Sequence, residues 1–386
     1  MQMHDELLGR AREIAGLVER SAQQTDIDGR ISDQVLDQIC DAGLIQTLVP
    51  KMYGGHELGY KTMQSIISEI APYCTSTAWV TSFYIGHAYI HTLFPKQSQD
   101  EVFATKPNPL TPGTIAPNFT LRPEGDGFIA NGRSQWNSGS SRSDYYLCCG
   151  VIKNDDQAPE LRAFLVPTKE CRPIRNWDVA GMRGTDSSDM ELNNVFVPGY
   201  HTARVSDLLN GTAPGSLVHE NPKYSMPLFP FVLGETVPVM VGAYRGAANT
   251  YAKFVKDRSI TFGGSKAANK QLAQLRLGRG IAGAELAETL MRDYTNTLES
   301  MTPEKLRNPE VRAALKARVG LILEYCTDGI NLLIKAGGGG AFRNDCALQR
   351  FFRDINMLRV HGLLDSDTAT ETYGRVLLGL NSEVPM

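Results

Sequence analysis

The strongest constraint on the fold is a change of hydrophobic period that occurs twice along the chain. From Asp5 to about Phe103 apolar residues recur at helical spacing. Leu7, Leu8, Ala11, Ile14, Ala15 and Val18 form one stripe, and a second pattern from Asp33 to Ala42 stops at Gly43. Tyr53-Gly54-Gly55 interrupts, and Thr62 to Ile70 starts another helix. Between about Leu110 and Ser216 short β-branched and aromatic runs alternate with turn signals. Tyr145 to Val151, Arg162 to Val166 and Met190 to Val197 read as strands, and Asn131-Gly132 predicts a hairpin turn. From about Phe231 long helical patterns return over Glu235 to Arg258, Lys270 to Glu299, Pro309 to Lys335 and Leu348 to Leu364, each long enough for a bundle. The expected fold class is α+β. It comprises an N-terminal helical domain over 1–108, a middle β-barrel or sandwich over 109–222 and a C-terminal four-helix bundle over 223–386. Ser206 to Pro230, rich in Gly, Pro and Asn, reads as a linker or a loop over a site.

The 386 residues, 42% of them apolar, can bury a large core. The 39 basic and 42 acidic residues leave a net charge of -3, with no basic block or acidic tail. That balance argues against nucleic acid or an anionic membrane as a partner. No run approaches the roughly 20 apolar residues of a membrane span, and Met1 to Arg20 lacks the apolar centre of a signal peptide. The seven cysteines have no metal-ligand spacing, and Cys148-Cys149 lies inside an apolar run. The expectation is a soluble cytoplasmic protein with thiols buried as small apolar groups and no bound metal.

Several short motifs carry polar or permissive residues whose chemistry, taken alone, leaves two readings open. Trp136-Asn137-Ser138-Gly139 is either a β-turn with a core indole or a ligand wall with a hydroxyl beside it. Thr111-Pro112-Gly113-Thr114 is either a turn into a strand or a place where Gly113 lets backbone approach a planar ring. Arg258 is either a solvated helix end or, with Gln271, a fork for phosphate. Gly337 to Gly340 cannot sit inside a helix without heavy entropic cost; it is a connector or a close-approach loop. His87 and His91 share a helix face without the further ligands that zinc needs. His361, near the end of Arg353-Asp354-Ile355-Asn356-Met357-Leu358-Arg359-Val360-His361-Gly362, has an ordinary pKa near 6.5 that suits proton transfer at neutral pH. Asp354, two turns earlier, is expected to pair with Arg353, Arg350 or a neighbouring subunit.

The order of elements, together with Thr75-Ser76-Thr77-Ala78-Trp79, Trp136-Asn137-Ser138-Gly139, Gly181-Met182-Arg183-Gly184-Thr185, the strand end Asn194 to Pro198 and Tyr373-Gly374-Arg375, resembles the acyl-CoA-dehydrogenase-like two-component flavin-dependent monooxygenases. The resemblance covers nearly the whole chain. It implies the acyl-CoA dehydrogenase fold, and an oxygenase component that receives reduced FMN or FAD from a separate NAD(P)H-dependent flavin reductase. With O2 as co-substrate, a C4a-hydroperoxide would hydroxylate a small aromatic substrate, phenolic or polyketide-like. The dehydrogenases of the family carry a catalytic Glu just past the Arg-Asp helix; here the matching positions read His361-Gly362.

By the same resemblance His361 is the catalytic base and Ser138 sits near flavin N5. Trp136, Gly113, Thr114, Arg258, Gly338 and Gly339 border the cofactor, the last three with a neighbouring subunit of a homotetramer, and His87 and Trp79 contact substrate. The competing readings are an acyl-CoA dehydrogenase with a displaced base such as Glu235, an N- or S-oxygenase, and a non-enzymatic relative that uses the scaffold to oligomerise.

Overall fold

The computed structural model describes residues 2–154, 157–257, 266–382 and 384. Five helices come first: α1 (Gln2–Asp28), α2 (Asp33–Asp41), α3 (Tyr60–Ile70), α4 (Thr75–His91) and α5 (Lys96–Val102). In α1 the buried side chains Leu7, Ala11, Ile14, Val18 and Ala22 follow the predicted stripe. Ser32 caps α2 by accepting a hydrogen bond from Val35 N–H, 3.4 Å. Helix α4 differs from the others in being enclosed on all sides; every residue but Phe83 is buried.

Seven strands follow: β1 (Gly113–Glu124), β2 (Gly127–Asn137), β3 (Tyr145–Asn154), β4 (Gln157–Pro167), β5 (Arg172–Ile174), β6 (Ser188–Pro198) and β7 (Thr202–Arg204). They form one mixed sheet in the order β5-β6-β2-β1-β3-β4-β7, rather than a closed barrel or a sandwich. β1 and β3 run parallel and the other pairs antiparallel. The period of two assigns the two faces to different cores. Tyr146 and Cys148 of β3, with Phe164 and Val166 of β4, join Phe119 and Leu121 in a core of the sheet's own. Leu147, Ala163 and Leu165, between them in sequence, face the helical core.

The hairpin between β1 and β2 turns at Gly125-Asp126, not at Asn131-Gly132. Gly125 takes a left-handed φ of 57°, which supplies the turn. Asn131-Gly132 instead lies inside β2 at an irregularity in the β2–β6 ladder. There Asn131 Oδ1 accepts from Asn194 N–H at 2.8 Å.

The chain then returns to helices: α6 (Val205–Asn210), α7 (Leu228–Gly234), α8 (Val237–Asp257), α9 (Gln271–Ser300), α10 (Pro303–Leu306), α11 (Pro309–Gly337), α12 (Ala347–Leu358) and α13 (Ser366–Leu377). The segment expected to be a linker is built of short helical turns. The helix expected over Leu348 to Leu364 ends at Leu358, and α13 is a separate helix capped by Asp365, which accepts from Thr368 N–H at 2.8 Å. His361 thus stands in the connection between α12 and α13.

Candidate active site

Four of the residues singled out above meet at one place. Trp79 from α4, Trp136 and Ser138 from the end of β2, and His361 after α12 line a cavity of about 90 Å³. Trp177, Met182, Thr185, Ser187 and Met357 complete much of its wall, and none of its lining residues is a carboxylate.

The wall from the sheet is set by a distorted strand end. Trp136 has a φ of 64°, a conformation that bulky residues seldom adopt, and its side chain is 61% exposed beside the cavity. Strain of this kind survives only where the surroundings enforce it. Ser134 Oγ donates to Asn137 Oδ1 at 2.9 Å, and Asn137 Nδ2 donates to Ser188 O at 3.0 Å. Gly139 N–H donates to Thr185 O at 2.8 Å, which joins this loop to the one before β6. Tyr84 of α4 donates its hydroxyl to Gly139 O at 2.7 Å, and a Cβ at Gly139 would collide with that hydroxyl. The indole of Trp136 is therefore a displayed surface, not core.

Ser138 belongs to a chain of hydroxyls whose direction follows from donor and acceptor capacity. Trp79 Nε1 can only donate, and it does so to Ser138 Oγ at 3.1 Å. Thr185 Oγ1 donates to Met182 O at 2.8 Å, so its oxygen accepts from Ser187, 2.7 Å away. Ser187 Oγ in turn accepts from Ser138 Oγ across 2.8 Å. The proton of Ser138 is committed to Ser187, and what its oxygen has left to offer the cavity is a lone pair.

The loop carrying Met182 and Thr185 is held from the far end of the sequence. Asp354 of α12 accepts from Met182 N–H at 2.6 Å, and Arg353 donates to Ala180 O at 2.6 Å. Arg353 also pairs with Asp26 of α1, 2.7 Å. Asp354 is thus a positioning residue that hydrogen-bonds a backbone amide, with the charges of Arg350 and Arg353 acting on it from nearby. Burial raises its carboxyl to about 6, against the opposing pull of the Met182 hydrogen bond. Gly181 is required here, since a Cβ would collide with Arg353 O.

On the opposite wall His361 packs edge-on to Trp79, ring centroids 5.7 Å apart. Its Nδ1 accepts from Leu363 N–H at 3.3 Å, which places the proton of the neutral ring on Nε2. Burial lowers its pKa to about 4, not the ordinary 6.5, so the imidazole is neutral at pH 7.

The remaining candidates lie elsewhere. Phe83 packs tilted against Trp79 (4.6 Å) and edge-on to His87 (5.5 Å), so His87 follows on from the cavity without lining it. His87 Nδ1 donates to Thr111 O at 2.6 Å and His91 Nε2 meets Thr111 Oγ1 at 2.7 Å, which accounts for the pair as ties between α4 and the start of the sheet. Gly113 and Thr114 do not line the cavity; a Cβ at Gly113 would collide with Leu147 O, so the glycine serves strand pairing. Gly338, with φ of 59°, ends α11, and Gly338 and Gly339 are exposed on the surface of the single chain. Gln271 is exposed at the start of α9. Arg258 lies outside the described residues. Glu235 is buried and does not line the cavity, so it is not placed to act as a base there. Trp177, Ser187 and Met357 were not singled out from sequence; Thr185 was visible as the end of the Gly181 to Thr185 motif.

Comparison with known proteins agrees with this architecture. Residues 2–99 match the acyl-CoA dehydrogenase N-terminal domain and residues 236–366 the C-terminal domain. The chain is 40% identical to a pigment production hydroxylase of Rhodococcus sp., over 99% of this chain and 98% of that one. It is 28% identical to the oxygenase subunit HsaA of a flavin-dependent monooxygenase of Rhodococcus jostii, over 98% of both. The solved structure of XiaF from Streptomyces sp., in complex with FADH2 and glycerol, superposes with a TM-score of 0.90 at 22% identity, covering 100% of this chain and 98% of that one. The chain belongs to the acyl-CoA dehydrogenase family, in the group formed by the oxygenase components of flavin-dependent monooxygenases.

Proposed function

We infer that this protein is the oxygenase component of a two-component, reduced-flavin-dependent monooxygenase that hydroxylates an aromatic substrate. The observation that carries the reading is the cavity itself: an exposed indole, an oriented row of hydroxyls and an imidazole, with no carboxylate among the lining residues. A dehydrogenase needs a base strong enough to take a carbon-bound proton, and an imidazole depressed to about 4 is a poor one.

The residues present fit a reduced flavin, FMN or FAD. Trp136 offers an apolar face to the ring, and the free lone pair of Ser138 suits the N–H that a flavin carries at N5 when reduced. Bound there, the flavin supplies activation of O2, and its electrons come from a separate NAD(P)H-dependent reductase. Trp79 and His361 hold the aromatic ring, and His361 offers Nε2–H to a phenolic oxygen. In this tautomer His361 acts as a hydrogen-bond donor that stabilises the negative charge developing on the phenolic oxygen; to take the phenol proton itself, the ring would have to turn its lone pair to Nε2. His87 continues the substrate wall beyond Phe83. The same chemistry on a more nucleophilic heteroatom would be N- or S-oxygenation, which needs no such base.

The division into 1–108, 109–222 and 223–386 is the domain organisation we adopt. A homotetramer would place Gly338 and Gly339 against a neighbour's flavin; exposed Leu286, Leu290 and Leu321 on α9 and α11 support association through the bundle. Among the described residues no helix is long and apolar enough to cross a membrane, and all seven cysteines are free. Free thiols support a reducing, cytoplasmic setting.

Stopped-flow mixing of the reduced-flavin complex with O2 tests the assignment. The expected result is a distinct spectral transient before oxidised flavin appears, with product formed when a phenol is present. Bleaching of oxidised flavin by an acyl-CoA, without any reductase, would overturn it.

A further inference from the structure

Glu235 is the buried group that this chemistry leaves unused. It stands between α7 and α8, fully enclosed, and among the described residues neither of its carboxyl oxygens has a hydrogen-bond partner. Buried polar groups in native proteins are nearly always satisfied, so two open oxygens on one side chain call for a reason. The backbone around it is well held: Ser82 donates its hydroxyl to Glu235 O at 2.6 Å, and Tyr60 donates to Gly234 O at 2.5 Å. The carboxyl itself is pressed against α4 at Gly86, where any Cβ would collide with Oε2, with the Phe231 ring beside the same glycine. Burial pushes the pKa of Glu235 well above the usual carboxylate range, so it stands as a neutral acid able to give one hydrogen bond and accept another.

Its place in the fold connects it to the site. Trp79, Phe83 and Gly86 are spaced i, i+4 and i+7, so they form one stripe along α4. Trp79, at one end, touches both Ser138 and His361. Phe83, in the middle, is the single residue of α4 that is not buried. Gly86, at the other end, meets Glu235. A helical rise of 1.5 Å per residue sets Gly86 about 10 Å beyond Trp79, roughly the length of two linked aromatic rings.

We propose that Glu235 is the distal anchor of the substrate cleft. The ring to be oxygenated lies between His361 and Ser138, the body of the molecule runs over Phe83, and a hydroxyl or carbonyl at its far end hydrogen-bonds the Glu235 carboxyl. The substrate class this selects is an extended phenol of two or more rings with a polar group at each end. The inference rests on the aromatic-hydroxylation reading for what occupies the His361 end.

Two probes differing in one group test it: a biphenyl diol with a hydroxyl at each end, and the phenylphenol that lacks the distal one. Equilibrium binding to the full-length protein, read as quenching of tryptophan fluorescence, gives their relative affinity without turnover. The wild type is expected to prefer the diol by about 10-fold or more, because a site built around a hydroxyl rejects the analogue without it. Glu235→Leu should abolish the preference and Glu235→Gln should keep it. Glu235→Met, which replaces an unpaired carboxyl by an apolar chain of similar length, serves if the leucine variant does not fold. Equal affinities in the wild type, or an unchanged preference in the leucine or methionine variant, would overturn the proposal. Since binding is read without O2, a wild type that binds with this preference yet hydroxylates neither probe would sink the hydroxylation reading separately.

Discussion

The two walls of the cavity are built on opposite plans. Along the hydroxyl row, every donor from Trp79 Nε1 of α4 through Ser138, Ser187 and Thr185 to Met182 O is committed to a neighbour, in one direction. On the helical side, His361 has one hydrogen bond, to a backbone amide, and owes its neutral state to burial. A completed network resists reorganisation, since breaking any link leaves another group unpaired. A neutral imidazole with a free N–H has its interactions still to make. On the proposed assignment of the walls, the contrast teaches that the cofactor side is finished in the free protein, whereas the substrate side would be finished by the substrate.

The largest effect that could break this contrast is at His361. His361→Ala should lower product formation by about 100-fold or more, while the bound reduced flavin still consumes O2. Product formed per O2 consumed measures this, and unchanged coupling would mean that the imidazole wall is idle.

Ser138→Ala strips the partner from Trp79 Nε1 and from Ser187 at once. It also removes the lone pair proposed to meet the flavin N–H, and losing one hydrogen bond worth about 1 kcal/mol should shorten the lifetime of the transient seen after mixing with O2 by about 5- to 10-fold. A lifetime equal to that of wild type would show that the hydroxyl row is structural.

Acid sharpens the distinction next. The unfolded chain takes up protons on His87 and His361 near pH 6.5, and the folded chain refuses them until about pH 4. Their contribution to stability is complete above 6.5 and is lost as the pH falls toward 4. His361→Gln should flatten the fall in unfolding free energy across that window, measured by denaturant titration. Ser138→Ala should leave the slope as it is.

The smallest effect concerns the strained strand end. Trp136→Gly relieves a left-handed φ and removes a mostly exposed ring. A gain of about 1 kcal/mol in stability, together with weaker binding of reduced flavin, is the expected trade. Weaker binding without the gain would show that the strain is absorbed elsewhere.

Elements and motifs were legible in the sequence where the signal is local. The long bundle helices announce themselves by their period, whereas residue type alone leaves two readings open for Trp136, Ser138 and His361, and only the resemblance to a known family groups them. What stayed hidden depends on contact across the chain. Nothing near Asp354 reveals that its partner is an amide 172 residues away. The hairpin dipeptide Asn131-Gly132 carries a strong local preference, yet pairing with β6 turned it into a bulge, and Gly125 made the turn. Gly113 illustrates the same limit, because its permissiveness serves Leu147 of the neighbouring strand and not a ligand. A permissive residue shows that something comes close, not what.

Helix α12 holds the Met182 loop through Asp354 and leads directly into His361. One rigid rod therefore carries both jaws of the site, like the bar of a caliper, and any tilt moves them together. The gap between the walls therefore depends on how this helix docks on the loop that precedes β6. Adapting such an enzyme to a larger or smaller substrate must then work through the side chains along α4, leaving the spacing of the reacting groups untouched.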